Sequence, residues 1–78
     1  MTADPSRIIV TTGATADAVR VHHHDIPELH SDGESPDIAA ENLANALTRE
    51  IDSVADDHRR EAIRRALADV RAFVERGS

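Results

Sequence analysis

Three consecutive histidines, His22, His23 and His24, are the first residues of this 78-residue chain whose type and spacing could do chemistry. On an extended strand alternate side chains share a face, so His22 and His24 would project together and let two imidazoles reach one ion. His30, or Asp32 on the next strand or turn, is the candidate third ligand. A zinc site needs three or four converging ligands, and this spacing supplies two. The plainer expectation is therefore a row of polar histidines on an exposed or dimer-facing sheet surface. His23 is expected to pack beside Val19 and Val21 with one ring nitrogen hydrogen-bonded, and no cofactor is expected.

Asp25, Glu28, Asp32 and Glu34 crowd around a turn beside these histidines. General acid–base work would need a pocket that shifts their pKa values, and so short a chain promises none without a second subunit. Solvated turn carboxylates that meet a basic partner protein are the expectation instead. Further along, Arg60, Arg64 and Arg71 fall on one side of a helical segment, with Glu61 and Arg65 spaced as an intrahelical pair. That stripe is the candidate nucleic-acid contact, set against a solvated flank that offsets an otherwise acidic body.

Composition narrows the classes. The chain has no cysteine, which removes disulfide scaffolds and thiolate zinc sites. Its length excludes a multidomain enzyme, and no apolar run approaches the ~20 residues of a membrane span. With no signal-like opening segment, a cytoplasmic location is the expectation. All nine basic residues are Arg against fifteen acids, for a net charge of −6, and Tyr and Trp are absent. Both features argue against a phosphate backbone as the main partner. A core this small rarely supplies more than ~3–5 kcal/mol, so self-association, most simply as a dimer, is also expected.

The elements that must position these residues read as one α+β domain over 1–78. Residues 1–6 look like a loose tail. Arg7 to Thr12 is β-branched and Ala18 to Asp25 alternates, which makes an antiparallel hairpin about Gly13–Asp17. Pro27 should interrupt any ladder, leaving Leu29 to Asp32 as a short third strand within a sheet region spanning 7–34. Ser35-Pro36-Asp37 is a strong helix start: a cap, a first-turn proline and a dipole-matched carboxylate. Ala40, Leu43, Ala44, Leu47, Ile51 and Val54 then form one apolar stripe, and Ile38 lies off it. A second stripe over Ala62, Ile63, Ala66, Leu67, Val70, Phe73 and Val74 is rotated by roughly 120°. Two helices, 35–55 and 57–76, follow, with an Asp capping the second and Gly77 ending it. The resulting order is a three-stranded antiparallel sheet packed by one amphipathic helix, then a second, C-terminal helix.

The stretch from Asp25 through Ile26, Pro27, Ser31, Gly33, Glu34 and Ser35 to Ala39 and Asn42 resembles the HicB-like antitoxin family. Family members carry a Pro-Asp-Leu-Pro-Gly segment, then a Thr, a Gly and an Asp-Thr helix start. Here His24 stands at the first Pro, Glu28 at the Gly after the second, and Ile38 at the helix-start Glu. The likeness covers about residues 7–52. It implies a partial ribonuclease-H-like fold and a non-catalytic, dimerising domain that pairs with a small ribonuclease toxin. The C-terminal segment does not look like the DNA-binding module many members carry. Partner contact is then expected at Asp25, Glu28, Asp32 and Glu34. Self-association is expected through the uncovered sheet face or through Ile63, Leu67, Val70 and Phe73.

Overall fold

A computed structural model describes residues 3–13, 15 and 17–76, and all statements below concern those residues. Three strands form one antiparallel sheet in the order β1 (Ile8–Thr12), β2 (Val19–His23), β3 (Ile26–Gly33). Two helices follow, α1 (Pro36–Ser53) and α2 (Asp57–Arg76). This is the α+β order the residue pattern predicts. Gly77, expected to end the second helix, lies outside the described residues.

The start of the chain is less loose than its composition predicts. Pro5–Arg7 make a 3-10 turn in which the Asp4 side chain accepts from the Ser6 N–H. That turn packs on α2. Met1 and Thr2, the rest of the expected tail, lie outside the described residues.

Pro27 does not end the ladder. The β2–β3 register runs from Val19 opposite Gly33 to His22 opposite His30, then jumps so that His23 faces Ile26. Pro27 falls in this bulge, where no N–H is required of it, and β3 therefore runs three residues further back than expected. At the other hairpin the Gly13 N–H donates to the Ala18 carbonyl at 3.0 Å, and a Cβ on Gly13 would lie 2.8 Å from that of Ala18.

Ser35 caps α1 by accepting from the Ile38 N–H at 3.2 Å, with Pro36 and Asp37 in the first turn. α1 lies across β2 and β3 and brings Ala39, Ala40, Leu43 and Leu47 into the core. Gly33 permits this approach, because a Cβ there would sit 2.5 Å from the Ala39 nitrogen. Asn42 ties the same junction by donating from Nδ2 to the Asp32 carbonyl at 2.9 Å.

The two rotated stripes are resolved by a break at 54–56. Val54 turns extended, and Asp56 caps α2 by accepting from the His58 N–H. Arg60 braces the corner, donating to the Val54 carbonyl at 2.7 Å and to Asp57 at 2.8 Å. α2 then folds back on α1 and the 3-10 turn and touches β1 only lightly. Its Ile63, Leu67, Val70 and Phe73 are buried with Ile8, Val21 and Ile26 in one core. The expectation that these four residues need cover from a second chain is thereby corrected, since α1 and the sheet already cover them.

The molecule measures 38 × 24 × 16 Å. Its shortest dimension holds a sheet and one helical layer, so the far face of the sheet has nothing above it. No helix among the described residues is long and apolar enough to cross a membrane.

Candidate functional site

The alternation of β2 sends Val21 and His23 inward, and His23 is 2% exposed. A buried imidazole must find partners for both nitrogens. Nε2 lies 2.7 Å from Asp69 Oδ2 on α2, and Nδ1 accepts the Asp25 N–H at 3.0 Å. Because an amide can only donate, Nδ1 carries a lone pair and Nε2 carries the proton that Asp69 accepts. The second Asp69 oxygen accepts the Asp4 N–H at 2.7 Å. One carboxylate thus joins strand, helix and the start of the chain.

This constellation looks like a catalytic dyad and cannot act as one. A general base needs a free nitrogen within reach of substrate, and neither nitrogen of His23 is free. Reading the sequence places His23 correctly against Val21 but misses Asp69. The available signal was an Asp lying between Ala66 and Phe73 on the edge of an apolar stripe.

The remaining histidines do not gather. β2 ends at His23, so His24 falls in the turn, where its Nδ1 lies 3.0 Å from Asp25 Oδ1. His22 and His30 are cross-strand partners on the open face. The expected pairing of His22 with His24 on one strand face is therefore corrected. Among the described residues no group of three or more His, Asp or Glu could hold a metal ion.

The four turn carboxylates are also dispersed, and three are paired within the chain. Asp25 meets Arg7 at 2.6 Å; the His24 hydrogen bond first, then the Arg7 charge, holds its carboxyl below the usual range. Glu28 meets Arg59 at 2.6 Å, and that hydrogen bond likewise lowers its pKa. Asp32 binds Arg20 at 2.8 and 3.3 Å, and this bond raises the pKa of Arg20. Only Glu34 stands without a partner among the described residues.

The arginine stripe is divided in the same way. Arg60 is spent on the α1–α2 corner. Arg64 lines a cleft of about 480 Å³ with Arg7, Arg65, Asp4, Asp25, Glu61 and Asp69. Arg71 lines a groove of about 340 Å³ between the helices, beside Glu41 and Glu75. Each Arg64 or Arg71 neighbourhood carries carboxylates that would repel a phosphate, so no continuous basic track exists along α2.

An exposed apolar side chain flanked by unpaired carboxylates lies at the start of α1. Ile38 is 44% exposed, one of two large apolar side chains so exposed among the described residues. Glu34 lies four residues before it, Asp37 directly before it and Glu41 three residues after it, and none has an ion pair among the described residues. An apolar contact ringed by carboxylates can receive a basic surface that carries its own apolar spot. No family model, no curated protein and no solved structure matches this chain.

Proposed function

We propose that this chain is a non-catalytic protein-binding domain of HicB antitoxin-like character. Its partner is a small basic protein such as a ribonuclease toxin, held at the start of α1. The observation that carries the reading is Ile38, 44% exposed between Glu34, Asp37 and Glu41. Burying an Ile that the fold leaves in water favours association, and the surrounding carboxylates select for positive charge and speed encounter.

Two further features support it. Both nitrogens of buried His23 are held within the fold, one by Asp69 and one by the Asp25 N–H, which suits a positioning role. The positions that resemble the HicB-like motif, Gly33, Ser35, Ala39 and Asn42, all serve the junction between β3 and α1 that presents Ile38.

The test is co-expression with any small basic protein encoded beside it, followed by capture at physiological salt. Wild-type protein should retain that partner, and Asp37→Arg with Glu41→Arg should release it while lowering the melting temperature only by the few degrees that a reversed first-turn charge costs. Ile38→Ala should weaken retention by roughly tenfold, the worth of one partly buried aliphatic side chain. Equal capture by all three proteins, or no basic partner at all, would overturn the assignment.

A further inference from the structure

β1 is an outer strand of the sheet, and its free edge is defined by the ladder on its other side. The Arg7 carbonyl accepts the His24 N–H at 2.9 Å, and the Gly13 N–H donates to the Ala18 carbonyl at 3.0 Å. Those two pairs share one register with Ile9 opposite His22 and Thr11 opposite Arg20. Hydrogen-bonded pairs alternate in an antiparallel ladder, so Ile9 and Thr11 aim their backbone groups at β2. Val10 and Thr12 aim theirs away from the sheet, as does the Ile8 carbonyl, while the Ile8 N–H turns back to the Pro5 carbonyl of the 3-10 turn.

Such a row of open donors and acceptors is a template for another strand, and proteins blunt it with charge, proline, bulges or cover. The opposite edge, β3, has these protections: Pro27, Glu28, Asp32 and a bulge. β1 has none of them. It reads Ile-Ile-Val-Thr-Thr, pairs with β2 in regular register throughout, and receives only a light touch from α2. Val10 is the second large apolar residue left 44% exposed.

We propose that β1 pairs antiparallel with β1 of a second copy about a two-fold axis through Val10, which joins two three-stranded sheets into one of six. In this register Ile8 meets the second copy's Thr12, Val10 meets Val10, and Thr12 meets Ile8. Val10 exchanges both N–H···O bonds with its counterpart, and each Thr12 N–H reaches the opposite Ile8 carbonyl, while the Ile8 N–H stays with Pro5. Arg7 falls opposite the second copy's Gly13, so no like charges meet. A second copy suits this edge because residues 8–16 contain no charge in a chain that carries −6 overall. Two acidic bodies can approach where neither is charged. The two-fold arrangement also closes on itself, so it stops at a dimer.

The contact lies on β1, the outer strand opposite β3, beyond whose end Ile38 stands, and it is scored separately from capture of a basic partner. Few residues take part, so the dimer should dissociate on dilution.

Sedimentation of the full chain from low micromolar to near-millimolar concentration tests it, with amide exchange measured at both ends of the range. The expected mass doubles at high concentration. The Val10 and Thr12 amides should become protected only there, while Ile9 and Thr11 stay protected throughout. Val10→Pro removes an N–H that bonds nothing within the chain, so it should remain folded and monomeric. Val10→Lys sets two like charges at the axis and should also be monomeric. A wild-type chain monomeric at every concentration would overturn the proposal, and so would a dimer that survives Val10→Lys. Protection of Val10 that ignores concentration would do the same, and these readings decide the matter even if Val10→Pro unfolds.

Discussion

Asp69 is the residue on which most of the polar interior depends. It accepts from His23 Nε2 and from the Asp4 N–H, both at 2.7 Å. Asp69→Ala would leave a buried imidazole N–H and a backbone amide without partners, at a cost of about 2–4 kcal/mol. A domain this small has little more than that to lose. Chemical denaturation should therefore find the variant largely unfolded in water, and a midpoint close to wild type would refute the role given to Asp69. The surface carboxylates act differently. Folding lowers the pKa of Asp25 and Glu28 from ordinary values of 3.8 and 4.5. A lowered carboxyl stabilises the fold fully above its unfolded pKa, and the contribution fades as pH falls through the folded value. Melting temperature should accordingly hold to about pH 5 and decline below about pH 4. Glu28→Gln should melt a few degrees lower at neutral pH and match wild type in strong acid. A gap that persists in acid would show that the Arg59 pair is not its cause.

Among elements, the junction of β3 with α1 is the tightest and the most legible. Ser35-Pro36-Asp37 announces the helix because each residue meets a separate end requirement, and the cap forms as its chemistry demands. Gly33 carries no such local signal; its need becomes visible only once Ala39 packs 2.5 Å from where its Cβ would be. Gly33→Ala should push α1 outward and cost roughly 1–3 kcal/mol. A calorimetric scan showing no loss would mean the helix can shift freely. Pro27 was misread for a related reason. A proline forbids an amide donor only where the ladder asks for one, and the bulge opposite His22 and His23 is a property of the pairing. The α1–α2 break was legible as a rotation between two stripes, whereas the Arg60 brace that sets the corner was not. Arg60→Ala should loosen that corner by about 1–2 kcal/mol.

At the scale of the whole molecule, the sheet-and-helix order follows from alternation and periodicity, which are local. The candidate site does not. Glu28 and Arg59 lie 31 positions apart, and His23 and Asp69 lie 46 apart, so their pairing depends on the completed fold. A cluster of acids in sequence became a set of internal ion pairs, and Ile38, which fitted no stripe, became the exposed centre of the surface left free. The same logic exposes Val10. Both large apolar side chains exposed among the described residues sit on surfaces suited to another protein, one acidic and one uncharged. The most direct measurement of the partner-binding claim is amide hydrogen exchange on the chain alone and saturated with the co-expressed basic protein. Slowed exchange confined to residues 34–42, with the cleft around Arg7 and Arg64 unchanged, is the predicted result. Protection centred on that cleft, with Ile38 still exchanging as in the free chain, would contradict it.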